Sequence, residues 1–217
     1  MFNRINILKE KGYNPDLILD IGAHHGEWTW KMLQIYSNCE YKLFEAIDYT
    51  ELNRYNNIPN ITRYNAVLNN KIEEIPWYEM RNTGDSMFKE KTYHFDNCNI
   101  ITKTTNTLNN LIVIPETIKN IFIKIDCQGA EIPILQGASN LLNKTDFILL
   151  EIPLFGQYNE NVPSFLEHIK YMDSIGFIPY DITDNHYINN FNMQLDVIFI
   201  NKLHPFNIVV NELLMKK

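Results

Sequence analysis

The 217-residue sequence has no basic run, no apolar stretch of membrane-span length and only three cysteines. Cys39, Cys98 and Cys127 are far apart and odd in number, which excludes a disulfide framework and predicts reduced thiols. No pair has metal-finger spacing. The longest apolar candidate, Phe147 to Phe155, is broken by Glu151 and Pro153, so no membrane span is expected. Met1 to Asn6 lacks the apolar core of a signal peptide. These absences predict a soluble, cytoplasmic protein. A net charge of -7 argues against nucleic acid as the main partner, because phosphate binding needs clustered Lys and Arg. No repeat, low-complexity linker or composition break divides the chain. One domain is expected over 1–217, with a core of about 16–201, an N-terminal helix at 1–12 and a C-terminal tail at 202–217.

Glycine is scarce too, at eight residues, yet two of them fall in the most informative segment, Asp16 to Trp28. An apolar run ends in Asp20-Ile21-Gly22-Ala23-His24-His25-Gly26, and a helix pattern opens at Glu27. Short β-branched runs alternate with helical stretches along the whole chain, as in a parallel sheet with crossover helices. Strands are predicted at Leu17–Ile21, Tyr41–Ala46, Ile61–Ala66, Ile121–Asp126, Phe147–Glu151, Phe177–Tyr180 and Leu195–Ile200. Helices are predicted at Glu27–Tyr36, Tyr49–Tyr55, Thr107–Leu111, Ile132–Leu135 and Val162–Ile175, with a further turn or two at Ala138–Asn143. Val67 to Lys103 reads as strand and loop. The last two strands, joined by an Asn-rich loop over Thr183–Asn192, read as antiparallel.

Ligands of open parallel sheets bind beyond the carboxyl ends of the strands. Asp20, Glu45, Asn65, Asp126 and Glu151 close five successive predicted strands. Charge beside a core is costly unless it binds something. Glu45 follows the glycine turn by about twenty residues, the spacing of an acid that holds a ribose diol; the bland alternative is an acid satisfied by backbone amides. The turn is Gly-x-x-x-Gly and lacks the middle glycine that lets a pyrophosphate approach, which disfavours NAD. S-adenosylmethionine, an adenosine cofactor without phosphate, fits better. Lys124 and Asp126 share a strand face, and a lysine in an apolar strand needs a partner, for which Glu151 and Glu131 are candidates. His24 and His25 sit in the turn, and His186 in the late loop, where an imidazole can take a proton from a hydroxyl. His94 and His168 read as surface residues.

Taken together these segments resemble the FkbM family of S-adenosylmethionine-dependent O-methyltransferases. The family's Asp-x-Gly-Ala-Asn-x-Gly corresponds to Asp20–Gly26, its Phe-Glu-Pro to Phe44-Glu45-Ala46, and its Asn-x-Ala step to Asn65-Ala66. Its Thr-Leu-Asp-x-Leu element corresponds to Thr107–Leu111. Its Leu-Lys-Ile-Asp-Val-Glu-Gly-Ala-Glu stretch corresponds to Ile123–Glu131, followed by Leu135-Gln136-Gly137-Ala138. Its closing Gln-x-Asp-x-x-Phe corresponds to Gln194–Phe199. His24, Ala46, Asn109 and Gln128 depart from the usual Asn, Pro, Asp and Glu. The resemblance implies a Rossmann-like class I methyltransferase: a mostly parallel seven-stranded sheet with an antiparallel last strand and helices on both faces.

By that resemblance Asp20, Gly22, Ala23 and Gly26 frame the methionine and ribose portions of the cofactor. Glu45 and Ala46 hold the ribose, Asn65 and Ala66 border the adenine, and Asp126 lies between cofactor and acceptor. Asp126 is the leading catalytic candidate, with His25 and Lys124 behind it. The acceptor implied is a small molecule or glycan hydroxyl, with residues 77–95 and 183–192 as walls of its site. No metal is required by this reading. Two alternatives compete: methyl transfer assisted by Mg²⁺ on Asp126, Glu151 and Asp196, and a binding module that has kept the fold without catalysis.

Overall fold

Apolar runs such as Leu17–Ile21 and Ile121–Ile125 are stable as strands only with both faces covered, and every residue of both is buried. The computed structural model describes residues 1–215. In chain order it contains α1 (Phe2–Glu10), β1 (Leu17–Ile21), α2 (Glu27–Ile35), β2 (Glu40–Glu45), β3 (Ile61–Asn65), β4 (Val67–Leu68), β5 (Glu74–Glu79) and β6 (Asn99–Asn106). There follow α3 (Leu108–Leu111), β7 (Ile121–Ile125), α4 (Glu131–Gln136), β8 (Thr145–Pro153), α5 (Phe165–Ser174), β9 (Phe177–Ile188), β10 (Phe191–Asn201) and α6 (Pro205–Met215).

Among the described residues the main sheet has seven strands in the order β3-β2-β1-β7-β8-β10-β9. All pairings are parallel except those of β10, which runs antiparallel to both β8 and β9. The Rossmann-like arrangement expected from the sequence is therefore present. The order in which strands are added reverses between β1 and β7, which creates the crevice where such sheets take ligands. One face is packed by α1 and α2 through Ile5, Leu8 and Met32 against Ile18, Phe122 and Phe147. The opposite face is packed by α3, α4 and α5 through Leu108, Ile134, Leu135 and Met172 against Leu19, Ile123 and Leu150.

Several elements differ from the sequence expectation. The helix expected at Tyr49–Tyr55 is a 3-10 helix over Thr50–Tyr55. The turn expected at Ala138–Asn143 appears as a 3-10 turn at Leu142–Lys144. The helix expected from Val162 starts at Phe165, because Ser164 and Glu167 form a reciprocal capping box there. Residues 183–192 are mostly strand: β9 and β10 continue to a tight turn in which Asn189 and Asn190 both take positive φ. Asparagine tolerates that conformation and suits a two-residue hairpin turn. The strand material between Val67 and Lys103 belongs with β6 to a second, three-stranded sheet, β4-β6-β5. The tail expected at 202–217 is helical over Pro205–Met215, and its last two residues lie outside the described residues. No helix among the described residues is long and apolar enough to cross a membrane.

Candidate active site

A cavity of about 680 Å³ lies at the carboxyl ends of β1, β2, β7 and β8. Trp77 on β5 and Ser86, Met87, His94 and Phe95 in the segment between β5 and β6 close it from above. Its volume is in the range of sites that enclose small organic ligands.

At one end, Phe44, Ala46, Ile47, Ala66, Leu68 and Ile134 make an apolar slot beside Glu45. The carboxylate of Glu45 accepts hydrogen bonds from the backbone N–H of His24 (2.7 Å) and Ile47 (2.9 Å). The bland role foreseen for it is therefore filled. A carboxylate has about four acceptor positions, so about two remain unused on a side chain that lines the cavity. Burial raises the Glu45 pKa, and the amides of Ile47 and His24 offset part of that rise.

The glycine turn is shaped by its neighbours as much as by a ligand. Gly22 has φ +74°, and a Cβ there would collide with the Asp126 backbone carbonyl. Gly26 has φ +80° and packs against the Tyr55 ring, whose hydroxyl donates to the Gly26 carbonyl at 2.5 Å. Gly22 thus lets the β1 and β7 loops touch, and Gly26 seats the start of α2. Between them His24 and His25 stack with ring centroids 3.8 Å apart, both edge-on to Tyr49. His24 lines the cavity, and burial lowers its pKa.

Beneath the turn lies a buried ion pair. Lys124 Nζ is 3.2 Å from Asp20 Oδ1 and 3.7 Å from Asp126 Oδ2, and it donates to the Gly22 carbonyl at 2.8 Å. Asp20 also accepts from the Thr29 hydroxyl at 2.6 Å. Burial works to lower the Lys124 pKa, but the carboxylates of Asp20 and Asp126 outweigh it and the net shift is upward. The ammonium is a fixed charge.

At the other end the cavity is polar. Gln128 donates to Asp126 at 3.3 Å and to Glu151 at 2.9 Å, and Gln194 also donates to Glu151, at 3.1 Å. Burial, then Asp126 and Asp196, push the Glu151 pKa well up. His186 Nε2 lies 3.2 Å from Asp196 and 3.7 Å from Glu151; the hydrogen bond with Asp196 raises its pKa. Glu131, fully buried, accepts from the N–H groups of Cys127 (3.0 Å) and Gly129 (3.3 Å), which shapes the loop carrying Gln128.

Of the residues expected around a cofactor, Gly22, Glu45, Ala46, Ala66 and Asp126 line the cavity. Asp20 is wholly buried and, like Ala23, Gly26 and Asn65, is not a lining residue. Asn65 is exposed and donates to the Glu45 carbonyl at 3.1 Å. Of the catalytic candidates, Asp126 lines the cavity, while Lys124 and His25 do not. The partners considered for Lys124, Glu151 and Glu131, are not its partners; Asp20 is, because Asp20 and Lys124 are in register across β1 and β7. Of the two histidines read as surface residues, His94 is exposed as expected, at the edge of the cavity, whereas His168 is fully buried with Nε2 3.8 Å from Glu131. Of the suggested metal set, Glu151 and Asp196 converge, but their third neighbour is His186 and not Asp126. Tyr158 and Gln194 also line the cavity without having been singled out. Only Gln194, in the resemblance to the closing motif, carried a signal.

Residues 20–179 match the family model described as the methyltransferase FkbM domain. Among solved structures, the chain resembles methyltransferase FkbM from Methylobacillus flagellatus KT, at 16% identity and a TM-score of 0.53. That match covers 84% of this chain but 43% of the other, so the chain spans less than half of that protein's length. It also resembles the 1,6-didemethyltoxoflavin-N1-methyltransferase of Burkholderia thailandensis, solved with 1,6-didemethyltoxoflavin and S-adenosylhomocysteine. There the identity is 9%, the coverage 92% of this chain and 77% of the other, and the TM-score 0.53. An S-adenosylmethionine-dependent methyltransferase from Clostridium acetobutylicum ATCC 824 matches at 9% identity and a TM-score of 0.50, over 91% and 89% of the two chains. At these identities the likeness is one of fold. No curated protein sequence matches the chain.

Proposed function

Because this chain belongs to the FkbM methyltransferase family, we propose that it moves the methyl group of S-adenosylmethionine to a hydroxyl of a sugar, glycan or glycosylated natural product. When bound, that cofactor supplies an electrophilic methyl on a sulfonium, which leaves as a neutral thioether once an acceptor oxygen has taken the methyl.

The observation that carries the reading is the pairing of an apolar slot with Glu45 at one end of the cavity and a polar end around Asp126 at the other. Phe44, Ile47, Ala66 and Leu68 offer flat apolar contact for an adenine. The free lone pairs of Glu45 suit a ribose diol, and the open backbone at Gly22 suits the amino-acid arm. The chain's residues would then act mainly by positioning, which supplies much of the rate in a bimolecular displacement. Asp126, with its side chain 41% exposed, is assigned to contact the acceptor hydroxyl and take its proton. Lys124 is assigned a positioning role, because it ties Asp20, the Gly22 carbonyl and Asp126 together. His25 is assigned to support His24 and the turn, not the chemistry.

A carbohydrate acceptor suits the remaining wall. Trp77, Tyr158 and Phe95 offer aromatic faces, and Asn82, Thr83, Asp85, Gln128 and Gln194 offer hydrogen bonds.

The test is calorimetry with S-adenosylmethionine, followed by labelled methyl transfer to a panel of sugar nucleotides, glycans and glycosides. Micromolar cofactor binding and label in a hydroxyl-bearing acceptor are expected. Asp126→Ala should keep the binding and lose turnover. Absence of cofactor binding overturns the reading, and label transferred to an amine instead overturns the acceptor class.

A further inference from the structure

We propose that Glu151, His186 and Asp196 form a binding site for one divalent transition-metal ion of the Mn²⁺ type, at the polar end of the cavity. Each residue offers a ligand atom, and the three atoms lie within 4.8 Å of one another. His186 Nε2 is 3.2 Å from Asp196 Oδ2 and 3.7 Å from Glu151 Oε1. Ligand atoms sharing one ion at about 2.0–2.2 Å sit at such separations from each other.

Strand register explains why these groups meet. Asp196 on β10 is directly opposite Glu151 on β8 and Asp184 on β9, and His186 is opposite Gln194. Ile125 pairs with Leu150, so Asp126 falls beside Glu151. Asp126, Glu151, Asp196 and Asp184 therefore form one cross-strand row of carboxylates on one sheet face. Like charges directly opposite each other across strands are destabilising. The nearest lysine, Lys124, is shared among Asp20, the Gly22 carbonyl and, at 3.7 Å, Asp126, so among the described residues no lysine pairs with Glu151, Asp196 or Asp184.

A second observation is independent of the convergence. The side chains of Glu151 and Asp196 are each only 9% exposed. Among the described residues Gln128 and Gln194 both donate to Glu151 Oε2, and no hydrogen bond reaches Oε1, which lies 3.7 Å from His186 Nε2. Oε1 therefore keeps its acceptor capacity for an ion in a side chain that is largely withdrawn from solvent. Room exists beside it: a smaller cavity of about 190 Å³ is bordered by Lys124, Asp126, Glu151, Asp184, His186 and Asp196. It shares Asp126, Glu151 and His186 with the larger cavity, so an ion here would border the acceptor end.

The donor set selects the class of ion. Two carboxylates with an imidazole and open positions for water suit Mn²⁺ and its neighbours better than Ca²⁺, which takes oxygen ligands alone. Only the ion's relation to the acceptor rests on the methyltransferase reading; its binding does not.

The experiment uses the full chain stripped with chelator and titrated with Mn²⁺, following the loss of the free-ion electron paramagnetic resonance signal. One ion per chain is expected. His186→Ala and Glu151→Gln should each weaken it by at least about tenfold, the effect that even outer-shell partners of a metal produce, while Asp173→Asn should not. Thermal melting without metal shows whether each variant is folded, and a Mn²⁺-dependent rise in the wild-type melting temperature gives a second readout. No binding up to about 1 mM, the weak limit of useful affinity, overturns the proposal and leaves the carboxylates balanced by a protonated His186. Unchanged binding in folded His186→Ala overturns the ligand set. S-adenosylmethionine binding is measured on the same stripped protein. Cofactor binding without Mn²⁺ binding sinks the metal site alone, and Mn²⁺ binding without cofactor binding sinks the methyltransferase reading alone.

Discussion

Asp20 and Lys124 stand side by side on adjacent central strands, 3.2 Å apart and almost entirely buried. This pair fixes the height of the glycine turn, because the same ammonium holds the Gly22 carbonyl. Removing one member of a buried pair leaves an uncompensated charge and costs about 3–5 kcal/mol. Lys124→Met should therefore lower stability by about that much in urea unfolding. Asp20→Asn with Lys124→Met should recover part of the loss, because no bare charge remains. If Lys124→Met unfolds like wild type but loses turnover, the lysine is a catalytic group and the positioning role is wrong.

Gly22→Ala should be far more damaging than Gly12→Ala. Both glycines have positive φ, at +74° and +93°, but a Cβ at Gly12 meets nothing within 4 Å. The left-handed conformation alone costs a non-glycine residue about 1–2 kcal/mol, and this is the whole penalty expected at Gly12. At Gly22 the Asp126 carbonyl blocks the new methyl, so the loops of β1 and β7 must part. Parallel thermal melts check the difference, and equal losses would show that the loop contact is easily relaxed.

Glu45→Gln should weaken S-adenosylmethionine binding by roughly ten- to a hundred-fold. That is the range given by losing about 1.5–3 kcal/mol from charge-assisted hydrogen bonds. The amide oxygen of the substituted side chain would still accept from the His24 or Ile47 N–H, so the fold should persist. Calorimetry on the two proteins decides it, and equal affinities would return Glu45 to a purely structural role.

The sheet was legible in the sequence because its central strands are doubly buried. Leu17–Ile21 and Ile121–Ile125 have no polar alternation to obscure them. Asp126 was legible because it directly follows such a strand, and Glu45 because it ends β2 about twenty residues after the glycine turn. The pairing of Asp20 with Lys124 was not, since it depends on which strand neighbours which and in what register. His186 shows the same limit: its loop-like, Asn-rich surroundings are strand in the structure, and only the β9–β10 register brings it to Asp196. His168 lies on a helix with polar neighbours in sequence, and its burial comes from the packing of α5 over Glu131.

Asp146, at the start of β8, supplies a stability effect whose sign is fixed by its environment. Burial raises its pKa from 3.8 to about 7, with Asp16 adding to the rise and the nearby Tyr13 hydroxyl opposing it. The folded state therefore holds a proton between about pH 4 and pH 7 that the unfolded chain has released. Where the native state binds more protons, stability falls as pH rises. Three units at about 1.36 kcal/mol each set a ceiling of about 4 kcal/mol, and the partial exposure of the group reduces this to about 1–2 kcal/mol. Asp146→Asn, neutral at every pH, should match wild type near pH 4 and exceed it by about that amount near pH 8. Urea unfolding of both proteins at the two pH values measures the difference, and a gap that does not widen with pH would mean that Asp146 ionises as freely in the folded protein as in the unfolded chain.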